Sequence, residues 1–133
     1  MTAYVTDTHP LIWYSTETYR KLSLRARRVF DRASNGEVLI WIPAMVVWEA
    51  GLLEKIGRVR FHPSFADWIE TLNSQPGFEF APLDLALITS SLNFIPNTDL
   101  FDTGIVATAR DKEAPLITKD ELIVRSKTVE VYW

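Results

Sequence analysis

Cysteine is absent from the sequence, which excludes disulfides, thiolate nucleophiles and thiolate metal sites. Histidine is scarce: only His9 and His62 occur. Any metal site would therefore draw on oxygen ligands, with at most those two imidazoles added. Long apolar runs are also missing. Nothing approaches the roughly 18 apolar residues of a membrane-spanning helix. The amino end shows neither a basic stretch nor an apolar leader core, so no secretory signal is expected and the chain reads as soluble and cytoplasmic. There is no excess of positive charge. The formal net charge of −3 argues against a generic polyanion binder but leaves a locally basic surface open.

What is present is ordinary globular composition, 47 % hydrophobic and 23 % charged. A chain of 133 residues suits one domain, 1–133, with a core that needs no staples. Strand-like and helix-like segments alternate along it. Tyr4–Thr6 reads as a strand, followed by a helical turn from Pro10 to about Ser15. Ser23 is a helix cap for the segment that Asn35–Gly36 stops. The run 37–42 is almost continuously apolar, the mark of a strand buried on both faces. Pro43 suits a first helical position, and that helix ends near Gly57. Further helices are expected over 63–73, 83–92 and 100–112, and strands over 78–81, 115–119 and 129–133. Strands joined through helices require crossovers, and crossovers build a parallel sheet in an α/β domain. Ligands bind such sheets beyond the carboxyl ends of the strands.

Four carboxylates stand out against that architecture. Asp7 follows the first strand directly, and Asp120 follows the strand of "PLITKDE". Glu49 interrupts the apolar stretch "AMVVWEAGLL", where an unpaired carboxylate would be costly to bury. Asp102 lies in the first turn of the apolar helix "LFDTGIVATA", three residues after Asp99. Each has an ordinary explanation. Asp7, Asp99 and Asp102 suit helix starts, Asp120 suits a turn, and Glu49 could reach solvent or pair with Lys55 or Arg58. Four such positions suggest one common cause. If they converge, like charges raise each other's pKa unless a cation neutralises them. An all-oxygen set of this kind favours Mg²⁺ or Mn²⁺.

The stretches "TDTHPLIW", "LSLRARRVF", "VVWEAGLLEKIGRV", "DLFDTGIVATA" and "PLITKDELI", in this order and spacing, resemble a PIN domain. The resemblance is greatest to VapC-type toxins of bacterial toxin–antitoxin pairs. It implies a PIN-like α/β/α sandwich with a central parallel sheet and a metal-dependent ribonuclease. It also implies a homodimer inhibited by an antitoxin. Its acidic quartet falls on Asp7, Glu49, Asp102 and Asp120. Thr8 and Thr118 flank the quartet and, with Asp99, would hold ligands or waters in place. The chain departs from the pattern at Thr103, where many relatives carry Arg, at Gly104, which weakens a helix start, and at Ala44–Met45.

The implied reaction is metal-assisted hydrolysis of an RNA phosphodiester, leaving a 5′-phosphate and a 3′-hydroxyl. Asp7, Asp102 and Asp120 would hold one or two Mg²⁺ ions, and Glu49 would orient water or bind a second ion. Two basic clusters are candidates for a phosphate track or for solvated helix faces. One contains Arg20, Lys21, Arg25, Arg27, Arg28 and Arg32; the other contains Lys55, Arg58 and Arg60. Trp13 and Tyr14 suit either base stacking or packing, whereas Trp41, Trp48, Trp68 and Trp133 read as packing residues. A structure-specific DNA nuclease and a non-catalytic binding module use the same acids. A phosphorylated receiver domain fits less well, because "VTDTH" lacks the paired acid such a site needs.

Overall fold

Five strands and seven α-helices alternate in the computed structural model, which describes residues 1–133 without a gap. The strands are β1 (Ala3–Thr6), β2 (Leu39–Pro43), β3 (Phe78–Ala81), β4 (Leu116–Ile117) and β5 (Val131–Tyr132). Between β1 and β2 lie α1 (Thr8–Ser15) and α2 (Leu24–Ser34); between β2 and β3 lie α3 (Ala44–Lys55) and α4 (Phe65–Ser74). Between β3 and β4 lie α5 (Leu85–Ser91) and α6 (Leu100–Asp111), and α7 (Glu121–Ser126) joins β4 to β5. The strands form one sheet in the order β3-β2-β1-β4-β5, and every pairing is parallel. No helix is long and apolar enough to cross a membrane.

That order has a functional consequence. From β1 the chain winds outward through β2 to β3, then returns to the other side of β1 for β4 and β5. The connections between these parallel strands are helical crossovers that pack on the sheet. The winding direction reverses between β1 and β4, where Val5 pairs with Leu116 and Thr6 with Ile117. At such a reversal the loops diverge and leave a crevice at the carboxyl edge of the sheet. Val5, Ile40, Ile42, Leu116 and Ile117 are fully buried in the strands that lead up to this edge.

Several local expectations shift. The first helix begins at Thr8, capped by Asp7, and Pro10 sits in its first turn, where a missing N–H costs nothing. Pro43 ends β2 and precedes α3 with an extended ψ of 145°, so it is not the first helical residue. β2 alternates rather than being buried throughout: Ile40 and Ile42 are enclosed, while Trp41 is half-buried under the Lys112 ammonium, 4.0 Å from its ring centre. The last two strands shrink to two residues each, and α7 was not evident from its short, charged sequence.

Gly104 takes on a different meaning. An added Cβ there would stand 2.5 Å from Cγ of Met45, so the glycine lets α6 approach the start of α3. Met45 is only 3 % exposed, so its side chain would have to repack within the core. Gly104→Ala should therefore lower stability by about 1 kcal/mol. Overpacking costs about 1–3 kcal/mol, and the gain in helix propensity offsets up to about 1 kcal/mol. A thermal melt by circular dichroism checks this. A Tm equal to or above that of the wild type would mean that Met45 yields freely.

Candidate active site

The β1–β4 crevice is built from strand ends and helix starts. The Asp7 N–H still pairs with the Ile117 carbonyl at 3.1 Å, so β4 fixes this residue's backbone. Its side chain caps α1: one carboxylate oxygen accepts the Thr8 N–H at 2.7 Å. The other accepts the Thr118 hydroxyl, also at 2.7 Å. Thr118 in turn accepts the Asp120 N–H at 3.0 Å. One buried threonine thus ties together the acids at the ends of two neighbouring strands. Asp120 caps α7 through the N–H groups of Leu122 and Ile123, at 2.9 and 3.1 Å.

The other two acids arrive on helices. Glu49, half-buried in the middle of α3, accepts a hydrogen bond from the Thr8 hydroxyl, which joins α1 to α3. Asp102 lies in the first turn of α6, whose N-cap is Asp99, and its N–H reaches the Asp99 carboxylate at 3.0 Å. Asn97 donates its side-chain amide to Asp102 at 2.9 Å and accepts the Asp99 N–H at 2.7 Å. Asn97 was not singled out from the sequence. Its signal was the spacing "NTDLFD", in which an Asx turn leads into a cap.

Asp7 and Asp99 are thus helix caps, as expected, and Asp120, expected in a turn, caps α7 as well; capping does not exclude convergence. Burial pushes the Asp7 carboxyl up from its ordinary value. The Thr118 and Thr8 hydrogen bonds oppose this, the Glu49 charge adds to it, and His9 draws it back. Burial likewise raises Glu49, opposed by the Thr8 hydrogen bond and by His9, and reinforced by Asp102 and Asp99. Asp102 is pushed up to about 6, chiefly by burial, with Asn97 opposing and the charges of Asp7, Asp99 and Asp120 adding to the rise. Each of these acids thus feels others of the group. The protein supplies them with no salt-bridge partner. Its three ion pairs are Arg32–Glu37, Lys112–Asp111 and Arg125–Glu121, and Glu49 pairs with neither Lys55 nor Arg58.

No three acidic or imidazole side chains converge into a ready-made metal cage. The donor set nonetheless suits a hydrated divalent cation. Mg²⁺ keeps several waters and needs only one or two carboxylates directly. The free oxygen lone pairs on Asp7, Glu49, Asp102 and Asp120 are hard donors of that kind.

The basic and aromatic candidates separate. Arg25 is exposed and lies over the Tyr132 ring, 4.4 Å from its centre. Arg28 is exposed on α2. Lys55 and Arg58 are exposed at the end of α3 and just beyond it, on the chain that carries Glu49. The Tyr14 ring stacks on Phe30 at 5.0 Å and its hydroxyl meets Ser34 at 2.8 Å, so it serves packing. Trp68 stacks on Phe61 at 4.1 Å as a packing residue. Trp133 is half-buried, edge-on to Trp13. Trp48 departs from expectation: it is 58 % exposed, next to Glu49, and touches only the edge of Phe101 among aromatic rings.

The fold and the crevice define a single parallel α/β domain with an acidic site at its topological switch. No family profile and no curated protein matches the sequence. Among solved structures the chain is similar to VapBC2 from Rickettsia felis bound to a DNA fragment from their promoter, with a TM-score of 0.69, 98 % of each chain covered and 13 % identity. That similarity is one of fold, and the five-stranded parallel sheet is consistent with the PIN-like architecture.

Proposed function

We propose that this chain is a metal-dependent endoribonuclease, the toxin of a toxin–antitoxin pair acting in the cytoplasm. The observation that carries this reading is the acid group itself. Asp7, Glu49, Asp102 and Asp120 come from four separate helices or helix caps, three of them are raised by burial and by one another, and no protein cation pairs with them. Folding tolerates such repulsion where a bound cation relieves it.

In this reading Asp7, Asp102 and Asp120 would hold Mg²⁺ or Mn²⁺ directly or through water, and the bound cation would supply Lewis acidity toward water and the phosphate. The chain's own residues set the geometry. Thr118 fixes Asp7 relative to Asp120, and Asn97 orients Asp102. Glu49, held by Thr8, stands on the α3 side of the pocket with one oxygen free to orient a water or accept its proton.

The solved VapBC2 assembly supports a protein partner for this chain as well. Trp48 and Leu52 on α3 and its C-cap Ile56 are exposed at four-residue spacing, and Leu100 is exposed next to Phe101, which Trp48 meets edge-on at 6.2 Å. An antitoxin or a second copy of the chain would cover such a surface.

Cleavage of single-stranded RNA and DNA of the same sequence, in Mn²⁺ and in EDTA, tests the activity. RNA should be cut in Mn²⁺ alone. Cleavage of DNA only would replace the substrate, and cleavage of neither, by protein free of any partner, would remove the nuclease reading.

A further inference from the structure

We propose that the cleft between α1 and α3, one helical turn below the acid pocket, holds an unpaired nucleotide of the substrate strand. This inference rests on the RNA substrate proposed above. The hydrogen bond from Thr8 to Glu49 joins the two helices at the pocket. One turn further along each helix stand Ile12 and Leu53, and there the helices frame a cleft of about 380 Å³. That size falls within the roughly 300–1,000 Å³ of small-ligand sites.

The lining of the cleft has two chemistries. Ile12, Leu53 and Val59 supply apolar surface, and Trp13, half-buried, adds an aromatic ring. Lys21, Arg58 and Arg60 bring cations from the two basic clusters, which are far apart in sequence but line the same cleft. None of these three is in an ion pair, although the chain as a whole is acidic. Two ammonium groups lie near the Trp13 ring centre: Lys21 at 5.8 Å and Lys119, the neighbour of Asp120, at 5.0 Å. The His9 ring stands 5.9 Å from Trp13 on the side of the acids.

Cations beside an aromatic ring match a nucleotide, whose phosphate meets the charge while its base meets the ring. An acidic peptide would satisfy Lys21, Arg58 and Arg60 but leave the ring without a stacking partner. In a duplex the bases are paired inside and cannot reach Trp13, so the cleft selects single strands. Lys119 then continues the positive charge from the cleft toward Asp120, which directs the next phosphate to the acids.

Fluorescence anisotropy with a fluorescein-labelled single-stranded RNA and its duplex, in EDTA so that nothing is cut, tests the assignment. The double variant Arg58→Ala/Arg60→Ala changes two exposed side chains and should fold as the wild type does. Its affinity for the single strand should fall at least tenfold, and its salt slope should shallow by about 1.4, from about 0.7 per phosphate contact. Trp13→Leu should weaken single-strand binding fivefold or more and erase the preference over duplex. Arg125→Ala, outside the cleft, should bind as the wild type does. Wild-type affinity and slope in the double variant would overturn the assignment and leave the cleft to an acidic protein segment. Cleavage in Mn²⁺ separates the two readings. Binding through the cleft without cleavage removes the nuclease and keeps the nucleotide site; cleavage with cleft variants that bind normally does the opposite.

Discussion

Asp7→Asn is expected to leave the protein folded and to lower Mn²⁺-dependent RNA cleavage about a thousandfold, the upper end of the roughly 10²–10³ that loss of one preorganised electrostatic group costs. The side chain keeps its shape, and its oxygen can still accept the Thr8 N–H. Its amide would face Thr118, whose hydroxyl oxygen has a second lone pair to accept it beside the Asp120 N–H. The variant also removes a carboxylate that is 8 % exposed and whose charged form burial disfavours. Against this, the buried Thr118 hydroxyl loses the carboxylate that accepts its proton, so the metal-free melting temperature should change little. The negative charge at the switch point is lost, and with it the hold on a cation. Initial rates at matched concentration, with melts of both proteins, decide the point. Activity within a few-fold of wild type would take Asp7 out of the site.

Mn²⁺ is expected to stabilise the wild-type protein by about 2.7 kcal/mol at a hundred times its dissociation constant, a rise of close to 10 °C for a chain of this size. Asp102→Asn should cut that rise by more than half and should itself melt higher in EDTA at neutral pH. The sign follows from the shift. The Asp102 carboxyl titrates at about 6 in the folded protein against 3.8 for the ordinary group, so the folded state holds its proton longer. Stability from this residue is full below about pH 4 and is lost as pH rises toward 6. Above pH 6 the ionised carboxylate destabilises the metal-free fold. After allowance for solvent screening this amounts to about 1–2 kcal/mol, against a few tenths to about 1 kcal/mol lost at the helix start. The advantage of the variant should disappear below pH 4. Melts in EDTA and Mn²⁺ at pH 4 and pH 7.5 give the four comparisons. A less stable variant in EDTA at pH 7.5, together with a wild type indifferent to Mn²⁺, would break the acids into four unrelated features.

Asp7 and Asp120 were legible in the sequence because the carboxyl end of a parallel strand is a position with a known use, and two carboxylates occupied it. Glu49 was legible because it breaks an apolar pattern. The pairing of α1 with α3 was not, since it depends on how two helices from separate crossovers meet. Lys21 and Arg58 therefore read as members of different clusters, and Trp13 as a residue with two possible uses. Gly104 read as a weakness in α6 because helix propensity is local, whereas the close approach to Met45 is not. Trp48 misled in the opposite direction: apolar neighbours in sequence, Val46 and Val47 among them, say nothing about which side of α3 faces outward.

The position of β1 in the middle of the sheet has a bearing on biosynthesis. Of the five strands β1 precedes the others in sequence and lies at the centre of the sheet, whereas its neighbour β4 comes fourth. As the chain grows from its amino end, β2 and β3 can pair beside β1 early, while the other edge of β1 stays open until residue 117 has emerged. Asp7 meets Thr118 only then, across 111 residues of chain. The four acids consequently come together only after β4 has paired with β1. A nascent or prematurely terminated polypeptide carries Asp7, Glu49 and even Asp102 without the strand that brings Asp120 to them.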